Sequence, residues 1–302
     1  MTAMPGTPAI AIPVTQAVLQ VVRAGALTTV QDGGRTRYAH LGVPRAGALD
    51  APARQLANRL TGNPADAAVL ETTLTGCAVR PTRAVTAVVG GAPCRVTVGG
   101  RPAPWGAPFV VPAGTVLDAH PAQHGVRSYL AFAGGLCPEP VLGSRSADLL
   151  SGLGPAPLRD GDALPLGTPR DHGTAPGADT APWPGIPTSL VLPVRPGPRH
   201  DWFTPAALRT LATARYRVSP HSNRIGLRTD GPALERSRLG ELPSEGVVLG
   251  AVQVPPDGRP VVFLNDHPTT GGYPVIGVVP EPSLSAAAQA APGTELRFTL
   301  IR

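Results

Sequence analysis

Proline and glycine interrupt this chain too often for long helices to dominate its fold. Its 38 prolines and 36 glycines fall between short apolar runs. Proline removes an amide donor and clashes with the preceding helical turn, while glycine costs a helix backbone entropy. Many short strands joined by turns are the architecture such punctuation allows. With 302 residues, 42% of them hydrophobic, the chain can bury one large core or two ordinary ones, and two is the expectation.

Residues 1–17 are broken by Pro5, Pro8 and Pro13 and read as a disordered tail without a basic leader. A first strand is expected over Val18 to Val22. Asp50 to Gly62 carries the best helical pattern: Asp50 can cap it, Pro52 suits its first turn, Leu56, Ala57 and Leu60 share a face, and Gly62 can end it. Packing is its expected role. Strand-like runs follow at Ala84 to Val89, Arg95 to Val98, Pro108 to Val111, Thr115 to Asp118 and Arg127 to Ala133, at sandwich or barrel spacing. Residues 167–187 lack periodicity and read as a linker rich in Pro and Gly. A second unit then opens with a strand at Ser189 to Val194 and a short helix from Thr204-Pro205 to Arg215. The expected organisation is therefore an N-terminal β-barrel domain over 18–166 and a C-terminal one over 188–302.

All 26 basic residues are arginine. This excludes a Schiff-base lysine, a Walker A lysine and a lysine general base, and leaves arginine forks and backbone N–H groups to hold any phosphate or carboxylate. The net charge of +6 is scattered rather than striped, and aromatics make up only 4%, so nucleic acid is not the expected partner. Cys77, Cys94 and Cys137 form no close pair and read as reduced core residues. Neither a signal peptide nor a membrane span is recognisable, which makes the cytoplasm the expected compartment. Gly-x-Ser-x-Gly, His-Glu-x-x-His and the dinucleotide fingerprint are missing, and Pro121 spoils the His120/His124 pair as a helical metal motif.

Four polar blocks remain. They are Gln31-Asp32-Gly33-Gly34-Arg35, Gly143-Ser144-Arg145-Ser146, the stretch Ser219 to Gly226 with Ser222, Asn223 and Arg224, and the loop Asn265 to Pro274 with Asp266, Thr269, Thr270, Gly271, Gly272 and Tyr273. Converging, they would form an anion site of arginine forks and backbone amides. Separately, each reads equally well as a turn capped by its own side chains.

The spelling and order of these blocks resemble the allophanate hydrolase subunit 2 family. The resemblance rests on Thr28 to Asp32 with Gly34-Arg35, Gly42-Val43-Pro44, Gly47 to Asp50, Ala57 to Leu60, Gly62-Asn63-Pro64, Leu70 to Leu74 and Gly143 to Ser146. It continues in Ser219-Pro220, Ser222, Arg224, Gly226, Ser244 to Val247, Gln253 to Pro256 and Thr269 to Pro274. That family includes the C subunit of bacterial 5-oxoprolinase (KipA) and a unit of urea carboxylase. The resemblance implies a mainly β fold of cyclophilin-like β-barrel architecture, with two barrel-like halves and a few short helices. It also implies a KipI-like partner (subunit 1, the B subunit of 5-oxoprolinase), a further A subunit, and ATP-dependent opening of the lactam of 5-oxo-L-proline to L-glutamate.

ATP, with Mg2+, is the cofactor so implied; no biotin or metal is expected on this chain. Arg145 and Arg224 are the expected ligands of phosphate or carboxylate. Thr269 to Gly272 are expected to cradle an oxyanion, and Glu245 or Asp266 to meet the substrate amide or a metal-nucleotide. Gln31, Asp32, Arg35, Ser144, Ser222, Asn223, Gln253 and Tyr273 complete the expected substrate- or nucleotide-binding set. Members of the family commonly carry Asp at the position of Asn223, Gln near His221, Arg-Gln at His267-Pro268 and Lys at Val275. Two other readings follow from the same resemblance: a regulatory protein that binds a KipI-like partner without catalysis, and a carboxyltransferase component related to urea carboxylase, to which biotin would have to come on another protein.

Overall fold

The computed structural model describes residues 17–169, 181–238, 240 and 242–301. Most of the expected tail, and residues 170–180 of the expected linker, lie outside them. The fold is mainly β, as anticipated, and is organised around two large cores.

Two sheets make the N-terminal half. One has the order β11 (Ala163–Pro165), β1 (Val18–Arg23), β4 (Cys77–Pro81), β9 (Leu117–Ala122), β6 (Cys94–Val98) and β7 (Arg101–Ala103). The other has the order β2 (Thr28–Gln31), β3 (Val69–Thr73), β10 (Arg127–Phe132), β5 (Val85–Gly91) and β8 (Phe109–Val111). Their facing side chains, among them Leu19, Val79, Val89, Leu117, Leu130 and Phe132, share one core. Strand β10 is buried along its whole length, because Leu130 and Phe132 enter that core while Tyr129 and Ala131 point the other way, under helix α1 (Ala51–Leu60). The period of two thus supplies both packing surfaces from one strand. Helix α1 begins as its sequence demands. Asp50 accepts the Ala53 amide at 3.1 Å and Pro52 lies in the first turn.

The C-terminal half is a closed barrel in the order β12 (Ser189–Pro196), β19 (Val275–Val278), β16 (Ala251–Gln253), β17 (Val261–Phe263), β14 (Gly226–Asp230), β13 (Tyr216–Val218) and β20 (Glu295–Leu300). Closure comes from β20 running parallel to β12, with Ser189 opposite Glu295 and Val194 opposite Leu300. Leu190, Leu192 and Val194 point inward while Val191 stays exposed, the alternation expected of a barrel wall. Helices α2 (Pro205–Thr213) and α3 (Leu284–Gln289) contribute Ala207, Leu211, Leu284 and Ala287 to this core. So does Leu49 of the N-terminal half. A small two-stranded sheet, β15 (Glu245–Gly246) with β18 (Thr270–Gly271), completes the architecture.

The cysteines are free. Burial pushes the Cys77 thiol up to about 12 and the Cys94 thiol up to about 11, which leaves both as weak nucleophiles. Cys137 is half-buried.

Candidate functional site

The polar blocks do converge, but on two different kinds of place. The first is a dry junction between the halves. Arg224, just before β14, forks onto Asp266 through Nε and Nη2, both at 2.9 Å, and Nη2 also donates to the Gly47 carbonyl at 2.8 Å. Its Nη1 donates to Glu71 on β3. The other Glu71 oxygen accepts the Leu49 amide and the Tyr129 hydroxyl, each at 2.9 Å, while Arg127 lies 3.6 Å from Glu71. Glu71, Arg224 and Asp266 are each at most 1% exposed. Around them Asn265 donates to the carbonyls of Ala46, Gly47 and Ala48 at 3.1–3.4 Å. Gln289 of α3 accepts the Val126 and Arg127 amides and donates to Asp50 at 2.9 Å.

This geometry corrects the roles expected of Arg224 and Asp266. Their charges meet each other and Glu71 rather than an open cleft, so they join the halves instead of presenting a face to a ligand. Burial alone would raise the Glu71 carboxyl. Arg224 and Arg127, with the Leu49 amide and the Tyr129 hydroxyl, hold it below the usual glutamate range instead.

Asp32 forms a second buried knot. Its Oδ1 accepts the hydroxyls of Ser144 and Ser146, both at 2.6 Å, and the Gly34 amide at 2.8 Å; its Oδ2 accepts the Arg145 amide at 2.6 Å. The first two polar blocks are thus tied together by one carboxylate. Gln31 donates to Thr29 and the Ala147 carbonyl. Arg35 donates to the Ser146 carbonyl at 2.5 Å. Asp32, Ser144, Gln31 and Arg35 therefore maintain loop shape rather than stand in solvent. Asn223 does the same in its own turn, accepting the Ile225 and Gly226 amides at 2.9 and 3.2 Å, and Ser222 braces Arg228. Asn suffices there, because its side chain offers the acceptor oxygen that the turn needs.

Two places remain open. The Arg145 side chain, held only by its Nε on the Pro138 carbonyl at 3.0 Å among the described residues, lines a cavity of about 250 Å³ with Asn63, Asp66, Gly134 and Cys137. On the barrel, β15 and β18, separated in the chain by β16 and β17, pair as a partly exposed, hairpin-like ribbon that carries Thr269, Thr270, Gly271 and Gly272. The Val247 amide donates to the Thr269 carbonyl, and Gln253 donates from beneath to the Tyr273 carbonyl at 3.2 Å. A side chain at position 271 would strike Gln253, so glycine there lets the hairpin lie close. Tyr273 is 44% exposed, with Arg236 5.9 Å over its ring. Glu245 pairs with Arg199, which draws its carboxyl below the usual range. The loop of residues 265–274 is thereby split. Asn265 to His267 are sealed into the junction, His267 stacked on Phe263 with its imidazole drawn below the usual range by burial, while Thr269 to Tyr273 lie partly or fully exposed.

Sequence reasoning passes over Arg45 and Arg54, which line a cleft of about 480 Å³ between the halves. The helical pattern of α1 suggests packing alone. The signal lies in the helix's own register, since Arg54 follows buried Ala53 and is itself only 4% exposed.

A family model described as the carboxyltransferase domain, subdomain A and B, matches residues 41–300. The chain is 39% identical to the C subunit of 5-oxoprolinase from Escherichia coli (strain K12) over 285 residues, covering 93% of this chain and 90% of that protein. The crystal structure of TTHA0988 superposes with a TM-score of 0.85 at 38% identity, over 99% of this chain and 60% of that one. The Kluyveromyces lactis urea carboxylase structure superposes with a TM-score of 0.86 at 28% identity, over 96% of this chain and 28% of that one.

Proposed function

Because the chain belongs to the carboxyltransferase domain family, subdomains A and B, we propose that it is the C-type component of an ATP-dependent 5-oxoprolinase, opening the lactam of 5-oxo-L-proline together with a KipI-like B subunit and an A subunit. The observation that carries this reading is the end-to-end match to the E. coli 5-oxoprolinase C subunit, which takes in 90% of that protein. The likeness to urea carboxylase occupies 28% of a much longer chain. It favours a second reading, a carboxyltransferase component served by biotin on another protein.

The Arg145 cavity does not fit a whole Mg-nucleotide. Among the described residues no three His, Cys, Asp or Glu side chains group to hold a cation, and the Arg145 cavity of about 250 Å³ is below the ~300–1,000 Å³ usual for small-molecule pockets. It fits one phosphate or carboxylate group. In this reading ATP is held by a partner, and Arg145 is the residue of this chain offered to a substrate anion. The hairpin Thr269 to Tyr273, with Glu245 on its neighbouring strand, is the face offered to the partner.

Co-expression with a subunit 1 protein and the A subunit, followed by assay of 5-oxoproline-stimulated phosphate release, tests the proposal. Stimulated release is expected, and Arg145→Ala is expected to lower it at least tenfold without changing thermal stability. Co-purification with the subunit 1 protein but no release on 5-oxoproline would move the assignment to the regulatory or carboxyltransferase reading.

A further inference from the structure

Of the four buried arginines among the described residues, two have a carboxylate partner. Arg224 has two, and Arg127 lies 3.6 Å from Glu71. Arg35 and Arg54 do not: among the described residues neither has a carboxylate oxygen within 4.0 Å. Burying a cation without a counter-charge is costly, and burial indeed pulls both guanidinium groups below the usual arginine range. The two differ in what lies beside them. Arg35 is wrapped by the loop of Val141 and Ser146, whereas Arg54 lines the open cleft between the halves.

Arg54 feels the carboxylates of Asp32 and Asp66 only from beyond contact distance. Its Nη1 donates to the Ala65 carbonyl at 2.5 Å, and its Nε has no partner among the described residues. Arg45, on the same cleft, has an unpartnered Nε too. Asp32 borders the cleft, but its oxygens already accept four protein bonds, which satisfy its charge locally. Glu281 pairs with Arg45 at 2.7 Å while 61% exposed. Such a pair has little net worth in water, so Arg45 is free to exchange Glu281 for another oxyanion. What the cleft lacks is an acceptor.

We propose that the cleft between the halves is an oxyanion subsite in which Arg54 supplies a fixed positive charge with no carboxylate in contact and Arg45 a movable fork, accepting a phosphate or carboxylate group from a small molecule. The subsite is separate from the Arg145 cavity and does not depend on the 5-oxoprolinase assignment. Glu281 acts as its internal stand-in: it occupies Arg45 until an anion arrives.

The test uses the intact chain alone, titrated with inorganic phosphate and, in parallel, with acetate, by calorimetry at constant ionic strength. Saturable binding of either probe is expected, and the responding probe identifies the source of the oxyanion. Arg54→Gln should weaken it at least tenfold and Arg54→Lys less. Because Arg54→Gln also removes a bond to Ala65, Gln55→Glu serves as a second variant: it adds a negative charge at the exposed rim of the cleft, leaves the buried groups alone, and should weaken binding severalfold. Glu281→Gln should tighten it. Absence of saturable binding of both probes overturns the subsite, as does binding unchanged by both Arg54→Gln and Gln55→Glu.

Discussion

The junction and the hairpin are built from the same vocabulary of Arg, Asp or Glu, Thr and Gly, yet they behave as opposites. In the junction, Arg224, Glu71 and Asp266 are shut away from water and every formal charge has a partner within the protein. In the hairpin, Arg199 pairs with Glu245 where both are about one-third exposed, and Thr270 and Tyr273 stand in solvent. Burial, not residue type, separates a group that holds the fold from one that can meet a partner. A buried pair is costly to break because the survivor is stranded, whereas an exposed pair is cheap to break because water replaces it.

The sharpest way to break this contrast is Arg224→Ala. It strands Glu71 and Asp266 in the dry junction and should cost about 3–5 kcal/mol, measured by chemical denaturation. A loss below about 1 kcal/mol would mean that the junction does not hold the halves together. Asn265→Ala comes next. It leaves the Ala46 and Ala48 carbonyls short of a donor, while Gly47 keeps Arg224, for an expected loss of about 1–3 kcal/mol.

The pH dependence of the junction gives a third test. The Glu71 pKa is depressed in the folded chain, so its stabilisation is complete above the ordinary value of 4.5 and is lost as pH falls through the lower, folded value. Asp50 works in the opposite sense, because burial raises it. Comparing wild type with Glu71→Gln isolates the Glu71 contribution, and the stability gap between them should shrink as the solution is acidified below that value. A gap that stays constant would show that Glu71 is not held ionised by its arginines. The smallest effect on stability is expected at the hairpin. Tyr273→Ala should change it by less than about 0.5 kcal/mol yet reduce partner-dependent turnover at least tenfold, as an aromatic anchor at an interface would. Equal damage to stability and turnover would erase the distinction between the two regions.

Much of the fold is legible in the sequence because its signals are local. Asp50, Pro52 and the Leu56, Ala57, Leu60 face announce α1 within a dozen residues, and the run Arg127 to Ala133 announces β10. The division of the polar blocks is not legible, because what decides it is distant in sequence: Arg224 and Glu71 lie 153 positions apart. Polar density after a core strand looks the same whether it will face a ligand or the other half of the molecule. Arg224 and Asp266 therefore read as binding groups, and Arg54 escapes notice because a charged residue inside an amphipathic helix ordinarily marks the solvated face.

The parallel pairing of β12 with β20 has a consequence for the order in which the molecule can be made. The strand that opens the barrel, Ser189–Pro196, finds its long partner only in Glu295–Leu300, about a hundred residues later. During synthesis the N-terminal sheets can pair among themselves while the barrel's first strand still waits with an unmet edge. Glu71 and the Arg127 backbone wait as well, since their counterparts Arg224 and Gln289 belong to the second half of the chain. Arg224 and Asp266 precede β20 in the chain, so the junction's charges can be paired before the strand that closes the barrel, Glu295–Leu300, has been made.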